Sequence, residues 1–139
     1  MGQQQLLLIL LGVIAVGIAL AVGLTMFMDN AASTNREAVT HDLINLAASA
    51  RVFYRRPATM GGGDGSFTTG GPTGSGLTDI RQLTTKPVNN NGRYVLGAVT
   101  ATAITITGIG REPVGPGFTD TVLVVMKITP EGATVVVVK

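Results

Sequence analysis

The sequence contains no cysteine and no tryptophan, and only 13% of its residues are charged. Without cysteine the chain can form no disulfide, so its folded part must be held together by packing within the chain or by neighbouring subunits. Its single histidine, His41, has no second histidine or cysteine with which to share a metal ion. A formal net charge of +2 is too small to indicate nucleic acid as the main partner.

The residue types of catalytic and cofactor sites are also scarce. The eight acidic residues are scattered, and Ser66 and Ser75 lie in glycine-rich sequence without a nearby base. The glycines around Asp64 lack the Gly-Lys-Ser/Thr ending of a phosphate-binding loop and the alternating oxygen ligands of a calcium loop. We therefore expect no enzymatic activity, no cofactor and no bound metal.

What the sequence does contain is a long apolar segment at its start. Residues 1–28 carry no charge, and fourteen Leu, Ile, Val and Phe residues lie between Leu6 and Met28. They favour membrane insertion by roughly 4–8 kcal/mol, and a helix of this length crosses a hydrocarbon core of about 30 Å. A secretory signal would have a basic start and a shorter apolar core. Residues 1–28 are thus predicted to be a membrane anchor or a filament core, with these side chains at its centre: Leu6, Leu10, Ile14, Ile18 and Leu24.

Residues 29–57 continue the helix with a different pattern. No proline occurs before Pro57, so one helix is predicted over Gln3–Arg56. An apolar stripe with steps of 4, 3, 4 and 3 residues is predicted to pack on a sheet of the same subunit. The stripe consists of Val39, Leu43, Leu46, Ala50 and Phe53. A second strip on the other side, Ile44, Ala48 and Val52, indicates either contacts with other chains or harmless exposed residues.

The remainder divides into a connection and a head. Residues 58–92 are predicted to be a glycine-rich surface loop, with Phe67 and Leu77 inserted into the core. Residues 93–139 hold four runs rich in β-branched residues, which predict an antiparallel sheet and an α+β fold. These runs are Arg93–Val99, Thr102–Thr107, Asp120–Thr129 and Ala133–Lys139. The last is apolar on both faces at 135–138, so we expect it to be covered on both sides or buried between subunits.

This arrangement of an apolar half-helix, an amphipathic half-helix, a loop and a sheet resembles the type IV pilin family. The resemblance in sequence is confined to residues 1–56, and Gln5 stands where the family has a glutamate if Met1 is the mature start. It implies a short leader removed by a prepilin peptidase, N-terminal methylation, an inner-membrane assembly machinery and a helical homopolymer. Cleavage upstream of Met1 is the expectation, with cleavage before Gln3 as the alternative.

The resulting hypothesis is a structural subunit of an extracellular, cell-surface filament that is membrane-inserted before assembly. Uncharged Gln3, Gln4 and Gln5 would make polar contacts with neighbouring subunits at the filament core, where an unpaired carboxylate would cost several kcal/mol. Two alternatives remain open. One is a pseudopilin-like component of a secretion system, and the other is a single-pass anchor that presents a small β binding module.

Overall fold

A single helix forms the spine of the molecule. The computed structural model describes residues 2–115, 117 and 119–139, without the side chain of Val137. Helix α1 runs unbroken over Gly2–Arg55 and is about 80 Å long. The predicted continuity is confirmed, since the helix continues through Gly12, Gly17 and Gly23 without local stretching.

Four antiparallel strands form one sheet in the order β1-β2-β3-β4. Their bounds are Gly92–Val99 for β1, Ile104–Val114 for β2, Asp120–Ile128 for β3 and Ala133–Val137 for β4. The predicted α+β architecture, a long N-terminal helix on a four-stranded antiparallel sheet, is therefore confirmed. Strand β2 begins after Thr102, because the Thr100 hydroxyl and the backbone of Ala103 close a turn there.

The core lies between the second half of α1 and strands β2 and β3. Val39 and Leu43 are fully buried, and Leu46 is 6% exposed. Alternate residues of β2 and β3 pack against this stripe, as expected for strands with one buried face. They are Ile104, Ile106, Val122, Val124, Met126 and Ile128. Where β2 passes under the helix the residues are glycines, since a Cβ at Gly108 would lie 2.5 Å from Val39 Cγ1.

The glycine-rich connection is packed against the end of α1 rather than lying loose on the surface. The backbone N–H of Gly63 donates to Phe53 O at 2.8 Å, and that of Gly65 donates to Tyr54 O at 2.8 Å. These bonds satisfy carbonyls that a helix end leaves without partners. Phe67 and Leu77 are buried, at 0% and 3% exposure, in the positions expected of them. A Cβ at Gly63 would lie 1.9 Å from Ser66 O, so glycine is required for this close approach.

Strand β4 is one of the two edge strands of the sheet. It pairs with β3 alone, while α1 lies mainly over β2 and β3. Within the single chain, Val135, Val136 and Val138 keep 36%, 53% and 47% of their surface exposed. The expectation of cover on both sides is therefore not met within one chain, because no strand or helix formed by the described residues lies beyond β4. Burial between subunits stays a prediction.

Candidate functional site

The apolar half of α1 projects away from the head. Its centre is exposed throughout, with Leu6 at 69%, Leu10 at 62%, Ile14 at 52%, Ile18 at 61% and Leu24 at 59%. The first buried helix residue is Ala32. The helix contains an 18-residue window of mean hydropathy 3.0, none of it buried, and is long and apolar enough to cross a membrane.

Exposure in this half is not limited to one face. Four consecutive residues from Leu6 to Ile9 are each 65–69% exposed, so apolar side chains surround the helix. A helix that is apolar on all sides is buried in protein or lipid, because soluble proteins rarely expose contiguous apolar patches larger than a few hundred Å². We call Leu6–Met28 the apolar rod. Its surface must be covered by lipid or by protein.

The three glutamines lie at the free end of the rod. Gln3, Gln4 and Gln5 are exposed and occupy the first turn of α1, where backbone N–H groups have no partner within the helix. Their side-chain amides can both donate and accept hydrogen bonds without carrying charge. Among the described residues, Thr25 is the first on α1 whose side chain forms a hydrogen bond, so the three glutamine side chains have no hydrogen-bond partner within that part of the chain. Their expected contacts with neighbouring subunits stay a prediction.

A polar cluster that sequence reasoning missed fastens the head to the helix. Asp42 Oδ2 accepts hydrogen bonds from Asn89 Nδ2 at 2.8 Å, Asn91 Nδ2 at 2.8 Å and the Tyr94 hydroxyl at 2.5 Å. We call these four residues the carboxylate clamp. It fixes the segment entering β1 against α1, alongside the buried stripe. Nothing in a single sequence pairs position 42 with positions 89–94, although the Asn-rich turn marks one half of it.

Asn35 makes a second attachment two turns earlier on the same helix. Its Nδ2 donates to the Asn91 carbonyl at 2.9 Å, and its Oδ1 accepts from the Arg111 backbone N–H at 3.1 Å. A Cβ at Gly110 would lie 2.1 Å from this Oδ1, so glycine is required there for β2 to come this close. The amide thus joins the helix to the turn that precedes β1 and to β2.

The clamp shifts the pKa values of its two acidic groups in opposite directions. Burial alone would raise the pKa of Asp42, but the hydrogen bonds from Tyr94, Asn91 and Asn89 outweigh it and lower the pKa below the usual 3.8. Burial, followed by the bond to the Asp42 carboxylate, raises the pKa of Tyr94 well above its usual 10. The folded head therefore favours an ionised Asp42 beside a neutral Tyr94.

These shifts predict how the stability of the head depends on pH. Because the folded pKa of Asp42 is lowered, its stabilising contribution is complete above pH 3.8 and is lost as pH falls through the folded value. Because the folded pKa of Tyr94 is raised, the stabilising contribution of Tyr94 is complete below pH 10 and is lost as the pH rises from 10 through the folded pKa. Asp42→Asn should cost roughly 1–3 kcal/mol near neutral pH and weaken the acid-side dependence. Thermal unfolding of the full chain in detergent micelles across pH measures both.

The matched control is Asp64→Asn, at an exposed position with left-handed backbone that asparagine also adopts. This variant should have the same stability as the parent near neutral pH, and it should lose stability at acid pH to the same extent. An Asp42→Asn protein that matches the parent at every pH would show that the clamp contributes nothing to stability.

Beyond the apolar rod and the clamp, the described residues offer little chemistry. No group of three or more His, Cys, Asp or Glu side chains lies close enough to hold a metal ion within 2–115, 117 and 119–139. Comparison with protein-family models, with curated proteins and with solved structures finds no match for this chain. Its function is therefore inferred from its own residues.

Proposed function

We propose that this protein is a structural subunit of an extracellular, type IV pilin-like filament that assembles through its apolar rod. The observation that carries the proposal is an uncharged, 23-residue rod, exposed on all sides and continuous with a separately folded head. Outside a membrane, copies of the same rod are the most available apolar cover. Bundled rods would form the filament core, and the heads would form its outer surface.

The rod also supports the route by which such a filament forms. A helix able to cross a membrane keeps each subunit inserted in the bilayer until it joins the filament. The rod is then surrounded by lipid before assembly and by other rods after it. The resemblance adds an inner-membrane assembly machinery, a prepilin peptidase and N-terminal methylation. Hydrophobic burial then provides most of the assembly energy, and it varies little with ionic strength.

The single-pass anchor is the second candidate, since the same rod is long enough to span a bilayer by itself. In that case the rod stays in lipid, and the head works as a binding module at the membrane surface. The pseudopilin-like component shares the filament's contacts but forms short fibres within the cell envelope. The extent and location of the polymer distinguish the three.

The test is negative-stain microscopy of material sheared from the cell surface, with mass spectrometry of the purified fibre. We expect long fibres composed mainly of this chain, which persist in high salt and dissolve in detergent. A monomeric chain confined to the membrane fraction would establish the anchor instead. Short fibres found only within the cell envelope would favour the secretion component.

A further inference from the structure

The entry to β1 contains the one Asn-Gly pair of the sequence, Asn91-Gly92. The fold requires both residues, for separate reasons. Asn91 belongs to the carboxylate clamp, and a Cβ at Gly92 would lie 2.2 Å from Ile109 O on β2. The pair is also chemically labile, because glycine leaves its own backbone nitrogen unhindered next to the asparagine side chain. A labile amide thus lies where the head is attached to α1.

An Asn-Gly pair can lose ammonia in water without a cofactor. The backbone nitrogen of Gly92 attacks Cγ of Asn91 and forms a new N–Cγ bond, and the side-chain nitrogen leaves as ammonia with the proton of the backbone N–H. Water then opens the resulting succinimide ring at either of its carbonyls. The product is aspartate, or isoaspartate, in which the main chain is longer by one carbon atom.

The folded head holds both reacting groups in other bonds. Asn91 Nδ2 donates to Asp42 Oδ2 at 2.8 Å, and the Gly92 N–H donates to Asn89 Oδ1 at 3.0 Å. The Asn91 carbonyl accepts from Asn35 Nδ2 at 2.9 Å, which fixes the peptide unit that links the two reacting residues. Ring closure removes the Gly92 N–H and releases the Asn91 side-chain nitrogen, so it breaks the first two of these bonds. The amide is therefore protected while the clamp is closed.

Neither product fits the closed clamp. An aspartate at position 91 replaces the Nδ2 donor by a carboxylate oxygen next to the Asp42 carboxylate, and like charges at this distance repel each other. An isoaspartate lengthens the chain just before Gly92, which is buried and has no room for a Cβ beside Ile109 O. A head that reacts while it is open therefore cannot close again in the same way.

We propose that Asn91 is a deamidation site that is protected in the folded head and reacts when the carboxylate clamp opens. The reaction needs water as its only co-reactant. It makes the opening irreversible, because neither product restores the hydrogen bond from Asn91 to Asp42. The inference concerns the head alone and does not depend on the proposed filament.

The full chain in detergent micelles allows a direct test. One sample stays folded and a second is unfolded with guanidinium chloride, both at the same mildly alkaline pH in water enriched in heavy oxygen. Denaturation and cleavage after arginine, in ordinary water, then release residues 82–93, in which Asn91 can be compared with Asn89 and Asn90. Mass spectrometry identifies the residue that has become an acid, and its heavy oxygen shows that it reacted before cleavage.

We expect Asn91 to convert first in the unfolded sample, and to remain an amide in the folded sample over the same time. Equal conversion in the two samples would overturn the protection by the fold. An unfolded sample in which Asn89 or Asn90 converts faster than Asn91 would overturn the assignment of the site.

Asp42→Asn tests whether the clamp controls the reaction. It removes the carboxylate that holds Asn91 Nδ2, so the open fraction of the head, and with it the rate of deamidation under folding conditions, should rise by about 5- to 30-fold. Glu131→Gln also removes one carboxylate, at the exposed turn between β3 and β4, and should leave the rate unchanged. Deamidation of Asp42→Asn at the parental rate would contradict control by the clamp.

Asn91→Asp reproduces one of the products directly. This head should unfold at a clearly lower temperature than the parent, or not fold at all, because two carboxylates meet in the clamp. Asn90→Asp, at the exposed neighbouring position, should unfold like the parent. An Asn91→Asp head as stable as the parent would show that the product fits the clamp, and the opening would then be reversible.

Discussion

Replacing Leu10 with Asp should abolish fibres and leave the head folded. Leu10 is 62% exposed in one chain and lies within the apolar rod, more than twenty residues before the first buried helix position at Ala32. In a bundle of rods the new carboxylate would enter a dry environment without a partner, at a cost of several kcal/mol per subunit. The yield of sheared fibre measures assembly, and limited proteolysis of the full chain in membranes measures folding of the head. Ile14→Asp should behave in the same way.

The matched control is Leu10→Met, which nearly conserves volume and apolar character and should therefore assemble almost normally. Both proteins need to reach the membrane in similar amounts, because Asp also weakens insertion. An Asp variant that is inserted at the parental level and still forms normal fibres would show that the rod is not the filament core. Loss of fibres together with a degraded head would show that the effect is on folding.

Replacing Leu46 with Ala should destabilise the head by roughly 2–5 kcal/mol, the usual cost of emptying a buried leucine site. Leu46 is 6% exposed and belongs to the single core cluster that joins α1 to the sheet. Because the surrounding strands are held by their own hydrogen bonds, they cannot collapse fully into the cavity. Thermal unfolding of the full chain in detergent micelles, followed by circular dichroism, should show a clearly lower Tm.

Ile44 provides the comparison on the same helix two residues away. It is 52% exposed on the side of α1 that points away from the sheet, so Ile44→Ala should change the free energy of unfolding by no more than about 0.5 kcal/mol. The pair separates loss of core packing from any general effect of alanine in α1. Equal stability of Leu46→Ala and Ile44→Ala would show that the buried stripe does not hold the head together.

Local patterns were sufficient to predict the main elements. The step of three and four residues from Val39 to Phe53 marks a helix face, and the alternation around Ile104 and Ile106 marks a strand face. Both are properties of neighbouring residues, so a sequence shows them directly. Strand β2 proved longer than predicted because it continues through Gly108 and Gly110. Glycine has low strand propensity, and its presence there depends on the close approach of the helix.

The features that could not be predicted depend on contacts between distant parts of the chain. In the carboxylate clamp, Asp42 binds side chains that are separated from it by 47 to 52 positions in the sequence. The packing of the loop likewise depends on the hydrogen bond from the Gly63 backbone N–H to the carbonyl of Phe53 at the end of α1. Hydrogen bonds of this kind leave no periodic trace in one sequence. Val136 is 53% exposed in the single chain, and its predicted burial between subunits would depend on surfaces outside that chain.

The two polar attachments of α1 have a mechanical consequence. Force applied to the apolar rod is transmitted to the sheet first through the hydrogen bonds of Asn35 and Asp42, which attach α1 to β2, to β1 and to the turn before β1. The apolar stripe, which begins at Val39 between the two attachments and ends at Phe53, carries the remaining load, and the glycine-rich loop lies farthest from the pull. Tension would therefore be carried first by short, directional hydrogen bonds, and rupture should begin at Asn35 and continue at the clamp before the core opens.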